Sequence, residues 1–120
     1  MFTSGTLIRS YFTVNGFDFC VDTAVIMQYN HTLDFETMLF RVSETGHTDG
    51  EAYDEMHAKT FEEAKQNHQK IVNRYTVPFD VIPSETDYSG IDRVLKEITE
   101  EQERIKKEQE IISRIRSTMN

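Results

Sequence analysis

Apolar and polar positions trade places at short range through residues 7–14 and 17–22, two stretches rich in β-forming side chains that flank Asn15-Gly16. Both residues of that pair tolerate the positive φ of a type I′ turn, so the spacing predicts a two-residue hairpin. Such a turn fixes the register. Val14 falls opposite Phe17, Phe12 opposite Phe19, Ser10 opposite Val21 and Ile8 opposite Thr23, which gathers apolar side chains on one face. The other face takes Arg9 opposite Asp22 and Thr13 opposite Asp18. Residues 24–29 either extend the second strand or form a third, and Asn30-His31-Thr32 reads as a turn. Residues 35–42 form the next strand, mostly apolar with Glu36, Thr37 and Arg41 interspersed, as a central strand with one wetter face requires. Residues 43–51, with Gly46 and Gly50, read as a loop and residues 52–58 as a short edge strand. The sum is an antiparallel sheet of three to five strands.

The period then changes from two to 3.6. Thr60 with Glu63 is a capping-box pattern, and Phe61, Ala64, His68, Ile71, Val72 and Tyr75 lie on one helical stripe of the width that covers a sheet face. Pro78 keeps Val77 out of the α region, so this helix is expected to end near Thr76. Residues 77–88 hold both prolines and no periodicity, and read as an extended connector touching the head through Phe79, Val81 and Ile82. Ser89 with Asp92 signals another cap. Beyond it Ile91, Ile98, Ile105, Ile112 and Met119 recur every seven residues, accompanied three positions later by Val94, Glu101, Glu108 and Ile115. A helix of thirty residues is roughly 45 Å long, more than a head of this size spans. Its stripe therefore needs cover elsewhere. The sevenfold repeat favours a left-handed coiled coil, while the two glutamates weaken the middle of its seam. Self-pairing, docking on another protein and a lone solvated helix all remain open, each compatible with surface pairs such as Glu103 with Lys107.

Composition narrows the setting. The 120 residues are 38% hydrophobic and 28% charged, enough apolar material for a modest core. No apolar run approaches a membrane span and no basic start leads into an apolar stretch, so the chain is expected to be soluble and intracellular, with no membrane contact. The single Cys20 fits a reducing compartment. The net charge of −8 is confined to residues 1–89, because residues 90–120 carry seven acids and seven bases. Residues 34–63 hold nine acids against Arg41 and Lys59. Such a field repels phosphate backbones, which excludes nucleic acid as a partner and leaves a basic protein surface or simple solubility as its purpose.

Reaction chemistry finds little support. His31, His47, His57 and His68 have no metal-ligand spacing, and His47 with Asp49 lacks the regular oxygen spacing of a calcium loop. Cys20 has no local activating group. His68 sits on the apolar stripe of its helix, as a partly buried histidine bonded to the sheet or to a loop carbonyl does. No glycine-rich phosphate loop is present. The adjacent carboxylates Glu62 and Glu63, and Asp54 and Glu55, read as charges at a helix start and along a strand edge. Neither enzyme, metal nor cofactor is expected.

The run Leu33-Asp34-Phe35-Glu36-Thr37-Met38-Leu39-Phe40, followed after a loop by Thr60-x-Glu62-Glu63-Ala64-x-x-x-His68-x-x-Ile71-Val72, resembles a group of small phage and prophage proteins. The similarity covers residues from about 20 to 75. Met27 to Thr32 lack the glycine- and proline-rich segment of that group, and the terminal repeat is no part of its pattern. The resemblance implies a phage setting and brings no activity, cofactor or catalytic residue with it.

The expected architecture is α+β. A head over residues 1–76 packs one helix on a small antiparallel sheet, a connector spans 77–89, and a long amphipathic helix fills 90–120. The expected function is that of a non-enzymatic phage protein that binds and modulates a host or defence protein in the host cytoplasm. The alternatives are a virion or assembly component that self-associates through its terminal helix, and a small enzyme. Expected partner-binding residues are Ile91, Ile98, Ile105, Ile112 and Ile115 on the helix, with Asp49, Glu51, Asp54 and Glu55 on the acidic face.

Overall fold

A computed structural model describes residues 2–45 and 50–119. Asn15 and Gly16 take φ of 51° and 82°, the double positive φ of the expected turn. They join β1 (Ser4–Val14) to β2 (Phe17–Met27) in the register anticipated from Val14↔Phe17 back to Ile8↔Thr23. Residues 24–27 extend β2 rather than forming a new strand. Between Thr6 and Ile8 the ladder slips by one residue, and this bulge turns both Leu7 and Ile8 into the core. β3 (Leu33–Arg41) and β4 (Asp54–Ala58) continue the meander, each displaced by up to two residues from the stretches expected.

α1 (Phe61–Thr76) begins where the cap pattern places it, with the Thr60 hydroxyl accepting from the Glu63 N–H at 3.2 Å. It buries Ala64, His68, Ile71 and Val72 of the expected stripe, together with Asn67. The helix ends at Thr76 as expected, but not for the expected reason: Val77 keeps α-region backbone, with φ −59° and ψ −48°, its N–H donates to the Asn73 carbonyl, and Pro78 enters a single 3-10 turn, Val77–Phe79.

The connector differs from expectation. Residues 85–87 form β5 (Glu85–Asp87), antiparallel to β1, so the sheet has five strands in the order β4-β3-β2-β1-β5. Nothing apolar announces this strand. Backbone pairing at the open edge of β1 and a 3.0 Å bond between the Thr86 and Ser10 hydroxyls hold it there. The Ser89 cap is also corrected. Its side chain makes no capping bond, and its N–H instead donates to Asp87 Oδ1 at 2.8 Å, so the turn out of β5 launches the helix.

α2 (Gly90–Thr118) is one continuous helix of 29 residues. Its first turns do not leave the head. Val94 and Ile98 are 1% and 4% exposed, packed in one core cluster with Phe2, Leu7, Ile8, Val25, Phe35 and Ala64, and Ile91 and Leu95 border it. A second cluster joins Phe12, Val14, Val21 and Leu39 of the sheet to Ile71 and Val72 of α1. Both helices therefore lie on one face of the sheet. The domain boundary expected at residue 90 moves accordingly: the head's core extends to about Glu101, and the rest of α2 projects from a molecule measuring 69 × 28 × 23 Å.

Candidate functional site

Two arrangements carry polar or apolar groups beyond what the fold itself requires. The first is buried. His68 Nε2 lies 2.8 Å from Ser10 Oγ, and His68 Nδ1 lies 2.8 Å from Thr23 Oγ1. Thr86 and Thr37 extend the chain at either end, at 3.0 and 2.8 Å. The sequence explains the convergence. Ser10, Thr23 and Thr37 occupy inward-facing positions on β1, β2 and β3, where they form a polar socket between the two apolar clusters, and α1 inserts its one imidazole there. A neutral imidazole donates from one nitrogen and accepts at the other, and hydroxyls adapt to either tautomer. No buried side-chain nitrogen or oxygen among the described residues lacks a partner.

A serine against a histidine has the shape of a nucleophile and its base, but this pair lacks the remaining parts. Ser10 and His68 are 2% and 4% exposed, and no carboxylate orients the ring. Burial pulls the imidazole down to about 4, which makes it a poor proton acceptor near neutrality. The network fastens α1 directly to β1 and β2, and through them to β3 and β5. Cys20 is equally removed from chemistry: it is buried in the sheet between Tyr11 and Phe40, and burial pushes its thiol up to about 11.

The second arrangement is at the surface. Beyond the head, α2 leaves Ile111, Ile112, Ile115 and Met119 exposed, with Ile112 at 47% and Ile115 at 52%, and Ile105 half-buried. Of the expected seam, then, Ile105, Ile112 and Ile115 are accessible to a partner. Ile98 is not, because the head itself buries it, and Ile91 is half-buried against the same core cluster. This correction has a physical cause. Over three helical turns a sevenfold spacing differs from the straight-helix period by only about 20° per heptad, so a stripe that docks on a sheet and one that pairs with a helix look alike in sequence.

The glutamate that interrupted the seam marks the change of role. Glu101 is buried at the rim of the head, bonded to the Arg104 guanidinium and to the Phe2 backbone N–H, and Arg104 holds it below the ordinary carboxylate range. Arg104 also grips Glu108. Past this clamp the exposed seam spans about two heptads, short of the three to four that sustain a coiled coil.

The acidic face is less open than its composition suggests. Asp54 accepts from Arg74 at 2.5 Å and from the Tyr75 hydroxyl at 2.9 Å; burial opposes ionisation, but these partners outweigh it and lower the carboxyl. Asp34 is bonded to Lys59, which lowers it too. Asp54 is thus corrected from a partner-binding residue to an internal tie between β4 and α1. Glu51 and Glu55 remain exposed, the latter 3.7 Å from His57. Asp49 and the His47 cation candidate lie outside the described residues. Among the described residues no cluster of histidine, cysteine and carboxylates is arranged to hold a metal, and no helix is long and apolar enough to cross a membrane.

Comparisons with protein-family models, characterised proteins and solved structures return no match.

Proposed function

We propose that this chain is a non-enzymatic interaction protein of phage origin that engages a protein partner through the distal half of α2. The observation that carries the reading is the exposed isoleucine stripe beyond Glu101, displayed on a helix whose first turns are locked into the head. Burying a side chain such as Ile112 or Ile115 stabilises by roughly 1.5–3 kcal/mol, so this short stripe supplies enough for docking into a receptive surface. The phage setting rests on the Phe35-to-Phe40 strand and the Thr60-to-Val72 helix. The buried, carboxylate-free Ser10–His68 pair supports a role without catalysis.

In one form of this reading the partner is a host or defence protein, which the helix modulates in the host cytoplasm. In the other the helix joins copies of the chain in an assembly, a form favoured by charge. Residues 102–119 carry five bases and three acids, whereas the remainder of the chain is strongly acidic. Both forms share one test. Ile112→Asp is expected to abolish partner binding, read by light scattering for self-association and by co-purification at defined stoichiometry for a host protein, with the melting temperature unchanged. Full binding by a folded Ile112→Asp variant contradicts the reading.

A further inference from the structure

The sheet has a second broad face, opposite both helices, on which neither helix packs and which no described segment covers. Its centre is half-buried apolar surface from Tyr11, Ala24, Ile26, Met38 and Phe40, around a shallow cavity of about 300 Å³. Its surround is acidic, with Asp22, Glu36 and Glu55 across the middle and Glu85 and Asp87 on the β5 edge. Among the described strand residues of this face, Arg9 is the one permanent cation, and Asp22 holds it at 2.6 Å. A solvated antiparallel face usually turns polar side chains outward. Here methionine, phenylalanine, tyrosine and isoleucine take those positions.

The distal half of α2 is the chemical complement of this face. At 100° per residue, Arg104, Lys107 and Arg116 border the isoleucine stripe, while Glu103 and Glu110 fall on the opposite side together with Lys106 and Arg114. Glu108 within the stripe is already paired to Arg104. The dimensions agree as well. Residues 102–118 of the helix rise about 25 Å, and five strands spaced about 4.8 Å apart with β1 and β2 some 35 Å long offer a face of matching extent. A chain cannot fill its own site, because its continuous α2 is anchored on the opposite side of the sheet.

We infer that the distal α2 of one copy docks across the open sheet face of a second copy, its isoleucines over Met38 and Phe40 and its flanking cations against Asp22, Glu36 and Glu55. The inference names the partner of the helix and so rests on the reading of distal α2 as a docking element. Both halves of the complementary pair belong to one chain and are always present together. Helix-to-helix pairing, in contrast, offers only two heptads. Each contact joins two different surfaces, and reciprocal exchange of helices between two copies combines two such contacts into one isologous two-fold dimer. Opposite charge at its border makes the association salt-sensitive.

Complementation between two full-length variants is the test. Met38→Arg spoils the face and keeps the helix, whereas Ile112→Asp spoils the helix and keeps the face. The wild type is expected to self-associate in sedimentation velocity, each variant alone to associate at least about tenfold more weakly, and an equimolar mixture of the two to recover a heterodimer. Circular dichroism melting establishes that each variant is folded, and Glu36→Lys with Glu55→Lys is the substitute if Met38→Arg is not. A wild type that associates, loses association with Ile112→Asp, and keeps it with the sheet variants overturns the inference and leaves the docking helix standing. A mixture that stays monomeric overturns it likewise. Association untouched by Ile112→Asp overturns both the inference and the reading beneath it. A wild type that remains monomeric at its highest soluble concentration overturns the inference alone, since a foreign partner then remains for the helix.

Discussion

Gly90→Ala is expected to destabilise the protein, against the usual direction of that exchange in a helix. Helix propensity alone favours alanine by about 1 kcal/mol. The local geometry opposes it more strongly. A Cβ at position 90 would sit 2.0 Å from the carbonyl oxygen of Thr6, a backbone atom fixed in the ladder between β1 and β2. Relief requires the first turn of α2 to lift off β1, which loosens the packing of Val94 against Gly5 and Leu7. Overpacking of this severity costs about 3 kcal/mol or more, so the net loss is about 2 kcal/mol. For a domain of this size that corresponds to a fall in melting temperature of roughly 10 °C, measurable by circular dichroism. A variant as stable as the wild type, or more so, would show that α2 does not approach β1 this closely.

The second large effect is on acid stability. His68 is held neutral by burial, with its pKa drawn from 6.5 to about 4 and no carboxylate beside it to restore the charge. Between those values the unfolded chain binds a proton at this site that the folded chain does not. The stabilisation is therefore complete above pH 6.5, declines as pH falls, and levels off near 4, a total of about 3 kcal/mol. Denaturant unfolding measured across this window should show the decline, and His68→Gln should flatten it while lowering stability at neutral pH. The depressed carboxyls of Asp34, Asp54, Asp87 and Glu101 act in the same direction, but their stabilisation begins to be lost only at the acid end of this window and continues below it, so the upper part of the decline belongs to His68. A wild-type profile level from 6.5 to 4 would mean that the imidazole is charged, or wet, in the folded state.

These two effects depend on residues that the sequence marks unequally. The hairpin was legible to the residue because Asn15-Gly16 admits one turn and that turn admits one register. α1 was legible because a cap and a stripe agree on where it lies, although Val77 before Pro78 keeps the α-region backbone that the proline was expected to forbid. His68 was recognisable as a core histidine, and Ser10 and Thr23 fell on the apolar face of the hairpin, although nothing in sequence brings them to one imidazole; Thr37, read with Glu36 and Arg41 as a wetter position, is instead buried behind Thr23. Gly90 carried no signal at all, since its purpose lies in the backbone of Thr6, more than eighty residues away. β5 was hidden for a related reason: its polar residues are held by an edge rather than by burial. The heptads of α2 were read as a stripe needing cover outside the head, whereas the packing of Val94 and Ile98 against Leu7 covers its first part within the head and leaves the rest at the surface.

That division is the central claim, and amide hydrogen exchange resolved along α2 in dilute protein tests it most directly. Residues 94–101 should exchange slowly, with the strands they pack on, whereas amides beyond residue 106 should exchange far faster, as in a helix supported by local bonds alone, and should slow when association is promoted. Slow, uniform exchange to the end of the helix in the dissociated monomer would contradict the account, because the distal isoleucines would already be covered.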